Sequence, residues 1–294
     1  MDINVILEGS FEKWLKTLGY AGSTVYGSTR YVRDFFFYLK TRKITQLEAI
    51  GPEALEGYYK YLQKRRNKRR AGGLSDNYIS SNFNALRRFS RYLQESGRPF
   101  FEVSVRIRPD KETPKIILTS EEVKTLYKAC GSDYLGVRDR AILSIYYGSG
   151  LRRTEGVSLD VRDILLREKL IFVRTGKGYR ERYVPMTGAV RDDLEQYIYQ
   201  GREHIRSFKK DTNPEAFLLS MQGKRMCGSQ VIERIHKLAR AAGINKPVGL
   251  HTLRHSIATH LLQSGMTLEE VSRFLGHSSL ESTQIYTHLA NVEL

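Results

Sequence analysis

Only two cysteines, Cys130 and Cys227, occur in 294 residues. That is too few for a disulfide framework or a thiolate-built zinc site, and it suits reduced thiols in the cytosol. Long apolar runs are missing as well. The greasiest stretch, Ala141 to Tyr147, falls far short of the ~20 residues a membrane-spanning helix needs. The N-terminus carries Asp2 and Glu8 and lacks the apolar segment of a secretory signal. Repeats and low-complexity tracts are absent. No segment has the pattern of a phosphate-binding Walker loop, and no Asp-rich cluster offers a metal site. These absences predict a soluble cytoplasmic chain with no membrane partner and no metal or cofactor.

Acidic residues are also in short supply: 48 Lys and Arg face 32 Asp and Glu, a net charge of +16. A surface this basic attracts a polyanion, and nucleic acid is the commonest one, although acidic proteins and membranes also attract basic chains. With 40% hydrophobic residues, the chain has enough apolar material for ordinary cores, and its length suggests about two domains. Residues 1–105 hold 18 basic and 10 acidic residues, a net +8, and the remainder carries the other +8. Both parts are therefore equipped to touch one polyanion.

Residues 1–105 read as helix throughout. Periodic segments run over Ser10–Leu18, Ser23–Arg42, Pro52–Arg65 and Ser75–Glu95. The second spaces Val25, Val32, Phe36 and Leu39 for one helical face; the fourth does so with Ile79, Phe83, Leu86, Phe89 and Leu93. Short connections predict a four-helix bundle. The dense run Lys64, Arg65, Arg66, Lys68, Arg69 and Arg70, together with Arg87, Arg88 and Arg91, is the candidate nucleic-acid contact. A solvated loop or a localisation-type tract is the plainer alternative for the run. Between 106 and 118, Arg106, Arg108, Pro109, Lys111 and Pro114 break any pattern, predicting a basic interdomain linker. A second domain then covers 119–294.

Thr119 and Glu122 have capping-box spacing, so a helix should start there. Another fits Arg138–Tyr147 and ends at Gly148-Ser149-Gly150, after which Arg152 opens a new helical turn. Lys169–Arg174 and Arg180–Val184 have β propensity from Ile171, Val173, Tyr183 and Val184. The glycines of Thr175-Gly176-Lys177-Gly178-Tyr179 predict a hairpin with Lys177 at its tip. Helices follow near Val190–Gln200, Ser229–Ala242 and Thr252–Ser264. Thr267 and Glu270 make a second capping box, and Gly276 is a natural stop. The class is thus mainly α with a small β-hairpin or sheet in the C-terminal domain.

The last part of the chain holds the densest signal. His251 and Arg254 are three apart at the front of a helix, where the dipole favours an anion. His277 follows the Gly276 stop, and Tyr286 comes nine residues later. A phosphodiester transfer without metal needs a nucleophile, cations on the non-bridging oxygens and a proton donor for the leaving oxygen. Arginine suits the clamp because its planar fork stays charged; lysine and histidine suit proton transfer. Singly, each residue is weak. There are 18 tyrosines, a lone histidine is more often structural, and Lys177 between glycines is compatible with a mere turn. His251 and His255 are four apart, but no HExxH glutamate or nearby thiolate supports zinc.

In order, however, Gly150-Leu151-Arg152-Arg153-Thr154-Glu155, Gly176-Lys177-Gly178, His251-Thr252-Leu253-Arg254-His255, Leu275-Gly276-His277-Ser278 and Ile285-Tyr286-Thr287-His288 resemble the successive boxes of the tyrosine recombinase (phage integrase) family, Xer-like branch. The match spans 115–288, and the helical N-terminal segment resembles the family's core-binding domain. The resemblance implies Tyr286 as nucleophile, Arg152, His251, Arg254 and His277 around the phosphate, and Lys177 as proton donor to the leaving 5′ oxygen. Glu155 matches the acidic residue that braces the site. It further implies cleavage and rejoining of double-stranded DNA through a 3′-phosphotyrosyl link, in DNA integration, excision or dimer resolution. The expected assembly is a homo-tetramer, or a hetero-tetramer with a related recombinase, on paired sites. The alternatives are a type IB topoisomerase-like relaxase and a catalytically silent DNA-binding regulator. The tail departs from the pattern: eight residues follow Tyr286, where Xer-like members carry a longer terminal helix that docks into a neighbouring subunit.

Overall fold

Ser75 ends an extended stretch, and its hydroxyl accepts a hydrogen bond from the Tyr78 amide. That cap starts a 20-residue helix whose apolar residues recur every three or four positions. Similar local logic builds the rest of the fold in a computed structural model, which describes residues 3–67, 71–107, 115–174, 181–208 and 213–276. The chain divides into two compact units, Met1–Thr113 and Pro114–Leu294.

Among the described residues, the first unit has four α-helices: α1 (Ile3–Thr17), α2 (Gly22–Thr41), α3 (Pro52–Lys64) and α4 (Asp76–Glu95). Helix α1 begins at Ile3 rather than Ser10, because Leu7 extends the buried stripe of Phe11 and Leu15 by one turn. The core is aromatic. The Phe89 ring lies 5.2 Å from Phe11 and 5.5 Å from Phe36, both edge-on, and all three are buried. Each such ring contributes on the order of 2–3 kcal/mol by leaving water. Asn82, fully buried, accepts from the Tyr58 hydroxyl and donates to Tyr78 O, so it satisfies its polar groups. Residues 101–107 have no regular structure, yet Phe101 is buried and Val103, Val105 and Ile107 pack against the same core. The expected linker therefore begins inside that packing.

Early in the second unit Leu118 is buried, and its amide donates to the Ser256 hydroxyl. The Thr119–Glu122 capping box forms and starts α5 (Ser120–Lys128). Helix α6 (Tyr134–Leu143) begins earlier than Arg138, because Asp133 accepts from the Gly136 amide. It runs into a π-helical turn, Ser144–Gly148, and then a left-handed Gly150. Helix α7 (Arg153–Ser158) follows. The sheet has three antiparallel strands: β1 (Ile164–Leu165), β2 (Leu170–Val173) and β3 (Arg182–Pro185). Ile171 pairs with Val184, and Val173 with Arg182. Then come α8 (Gly188–Gln196), a second π-helical turn, α9 (Glu203–Ser207), α10 (Gly228–Ala241), α11 (Leu250–Gln263) and α12 (Leu268–Leu275). The mainly helical class with a small sheet is as expected from the sequence. Among the described residues, no helix is long and apolar enough to cross a membrane.

Candidate active site

Arg152 sits at the N-cap of α7, where a side-chain acceptor is normal and arginine has none. Glu155, three residues on, supplies it instead. Its Oε2 accepts from the Arg152 amide at 2.7 Å, and its Oε1 accepts from Arg152 Nη1 at 2.9 Å. The same carboxylate receives a second fork. Arg182 at the start of β3 donates from Nη1 to Oε1 (2.9 Å) and from Nη2 to Oε2 (3.0 Å). Glu155 is 9% exposed. Burial pushes its carboxyl upward, but the Arg182 fork, then the contacts with Arg152, outweigh it and hold the pKa at about 2.

Arg254, in α11, is 5% exposed and reaches the same place from another direction. It donates to Gly150 O and, from Nη2, to Leu275 O at 2.8 Å. Arg152 Nη2 donates to the next carbonyl, Gly276 O, at 2.8 Å. Both carbonyls lie at the end of α12, where helix carbonyls have no intrahelical partner and the dipole is negative. Gly276 takes φ 65°, so the expected stop is a left-handed cap. The packing is tight enough to need glycine twice. A Cβ on Gly276 would lie 2.5 Å from Arg182 Nε, and one on left-handed Gly150 would lie 2.8 Å from Leu275 Cδ2.

Two guanidinium groups thus hold the Glu155 carboxylate and a third, Arg254, shares the end of α12 with Arg152, a local excess of positive charge suited to an anion. Neighbouring Arg153 is turned away and packs on Gly228 at the start of α10. His251 lies in the first turn of α11 and is exposed, unlike buried Arg254, so the pair shares a helix but not an environment. Its ring centroid is 6.4 Å from that of His255. Burial, then Lys115, His251 and Arg254, lower the His255 pKa to about 4. Among the described residues, no group of three His, Cys, Asp or Glu side chains is placed to hold a metal ion. Lys177, His277 and Tyr286 lie outside the described residues. Arg182 was not legible as a site residue; its one signal is that a buried glutamate beside a single arginine invites a second cation.

The candidate DNA-contacting residues of the first unit are dispersed in their contacts. Lys64 and Arg66 are exposed, while Arg65 pairs with Asp34 at 3.1 Å. On α4, Arg87 donates to Asn84 and to Val105 O, Arg91 pairs with Glu95, and Arg88 lies over the Tyr20 ring. Arg87 and Arg91 share one face along residues 100–104; Arg88 points elsewhere. Lys68, Arg69 and Arg70 lie outside the described residues.

Comparison with known proteins gives the family. Residues 117–293 match the phage integrase family. Tyrosine recombinase XerD of Listeria innocua is 32% identical over 94% of this chain and 91% of its own length. Tyrosine recombinase XerC of Chlamydia caviae is 38% identical over 72% of this chain and 67% of its own. In fold, the chain is similar to the XerH site-specific recombinase seen in a post-cleavage complex with its palindromic difH substrate. The TM-score is 0.72 at 18% identity, covering 99% of this chain and 93% of that one. This chain belongs to the phage integrase family of tyrosine recombinases. Within it the chain is Xer-like, and its activity is site-specific recombination.

Proposed function

We propose that this recombinase acts on double-stranded DNA in the cytoplasm, with Tyr286 attacking a backbone phosphorus to form a 3′-phosphotyrosyl bond. The bond from phosphorus to the 5′ oxygen breaks, and Lys177 gives that oxygen its proton. Arg152 and Arg254 hold the negative charge that builds on the non-bridging oxygens, assisted by His277. His251 positions or accepts the tyrosyl proton, and Glu155 braces Arg152. A 5′ hydroxyl from a partner strand then displaces the tyrosine. One phosphodiester replaces another, so the cycle needs no nucleotide hydrolysis.

The observation that carries this reading is the convergence of Arg152 and Arg254 on consecutive carbonyls, Gly276 O and Leu275 O. These elements are far apart in sequence, and both guanidinium groups end directly before His277. The basic residues Lys64, Arg65, Arg66, Lys68, Arg69, Arg70, Arg87, Arg88 and Arg91 are the proposed backbone contacts of a DNA-binding unit. Assembly is proposed as a homo-tetramer on paired sites, or a hetero-tetramer with a related recombinase. Tyr286→Phe tests the chemistry. It should abolish covalent adducts on a nicked DNA substrate while leaving DNA retention intact; adducts formed by the variant would overturn the assignment.

A further inference from the structure

Glu155 divides each of its oxygens between two arginines. Oε1 receives Nη1 of Arg152 and Nη1 of Arg182, both at 2.9 Å. Oε2 receives the Arg152 amide at 2.7 Å and Arg182 Nη2 at 3.0 Å. A carboxylate gripped on one edge can turn; one gripped by a second fork has its plane fixed. Arg182 reaches the other end of Arg152's hold as well. Its Nε, Cδ and Cζ would lie 2.5–2.7 Å from a Cβ on Gly276, so its guanidinium rests on the residue whose carbonyl accepts from Arg152 Nη2. The four residues Arg152, Glu155, Arg182 and Gly276 form a closed circuit.

We propose that Arg182 is a positioning residue for the Arg152 guanidinium, setting both the carboxylate and the carbonyl that aim it. The inference rests on the reading of Arg152 as a clamp on the phosphate oxygens. Three features place Arg182 behind the site. Its side chain is 13% exposed, which leaves little of it for DNA to touch. It springs from a strand residue paired with Val173, a rigid base. Its buried Nε has no hydrogen-bond partner among the described residues, so the pose gives up one bond to keep the fork on Glu155.

The test uses the charge of the reacting phosphate. A duplex selected from a random-sequence library for retention by the full chain supplies the probe, with the cleaved phosphate mapped from its adduct. A second version carries a methylphosphonate there, which lacks one charged oxygen and so needs the clamp less. Arg182→Gln should slow single-turnover adduct formation on ordinary phosphate by ~10²-fold or more, and on methylphosphonate by about 10-fold or less. DNA retention should stay within about 3-fold, since little of the residue is exposed. Arg182→Lys, which keeps the charge but cannot fork both oxygens, should fall between; it decides the matter if Arg182→Gln does not fold. Arg152→Ala should show the same selectivity. If Arg152→Ala is selective and both Arg182 variants slow the two substrates equally or not at all, the positioning role is overturned. If Arg152→Ala itself shows no selectivity, the clamp reading fails and this inference falls with it.

Discussion

Arg254 and Arg152 donate to neighbouring carbonyls, Leu275 O and Gly276 O, at 2.8 Å each. Two side chains distant in sequence thereby finish the C-terminus of α12, replacing the partners that a helix end otherwise seeks in water. Their positive charge also meets the negative end of the helix dipole. The same two contacts fix where each guanidinium can point.

Gly276→Ala should be costly for two separable reasons. The left-handed backbone, at φ 65°, costs an L-residue about 1–2 kcal/mol. The new methyl would also sit 2.5 Å from Arg182 Nε. Urea unfolding should show a total loss of about 2–4 kcal/mol. Asparagine tolerates the left-handed region better, so Gly276→Asn should recover part of the backbone cost and none of the contact. An alanine variant as stable as the parent would contradict the packing described.

Acid should weaken the second unit in two stages. His255 is held neutral in the fold, with its pKa lowered to about 4 from 6.5, so the unfolded chain binds its proton first. Stability from keeping it neutral is complete above about pH 6.5 and is lost as pH falls toward 4. Glu155, held at about 2 against an ordinary 4.5, contributes in full above about pH 4.5 and is lost between there and 2. Melting temperature against pH should therefore fall over both windows. His255→Gln should flatten the upper one, and a Glu155→Gln profile with an unchanged lower limb would refute the second.

A separate ionic cluster should carry stability without chemistry. Asp160 and Asp163 are each 3% exposed. Arg174 bonds both, at 2.6 and 2.5 Å, and Arg225 reaches Asp160 at 2.5 Å plus Leu159 O at 2.7 Å. Arg225→Met leaves a buried carboxylate half paired. The expected loss is about 2–3 kcal/mol, below the figure for fully buried pairs because Arg225 remains 32% exposed. Denaturant unfolding measures it, and a change within 0.5 kcal/mol of zero, the range of about ±0.5 kcal/mol typical of surface substitutions, would rule the cluster out as a structural brace.

The two thiols should differ sharply in reactivity. Cys130 is buried, and desolvation, then nearby Asp139, pushes its pKa up to about 12. Cys227 is exposed at the start of α10, and the Ser229 hydroxyl lowers its pKa. Alkylation followed by mass spectrometry should label Cys227 first and Cys130 only on unfolding. Equal labelling rates in the native protein would be the contrary result.

Much of this was legible in the sequence because local chemistry set it. The caps at Thr119 and Thr267, the stop at Gly276 and the apolar faces of α2 and α4 each need only a few neighbouring residues. What escaped depends on contacts between distant segments. Strand β1 is two residues long and exists only through its pairing with β2. The π-helical turns at 144–148 and 197–202 leave no periodic mark. Arg65, read from a charge run, turns out to be paired with Asp34 across the bundle. Arg182 is one of 48 basic residues until Glu155 is seen to be buried beside it.

The carbonyls that anchor Arg152 and Arg254 are translated after both arginines, 124 and 21 residues further along the chain. A nascent polypeptide that has not yet extruded α12 holds two guanidinium groups with nothing at that end to bind. The pocket is therefore assembled only once α12 has been made and has folded. Premature termination upstream of Leu268 would release a product that keeps its helical first unit but can never complete its cationic centre.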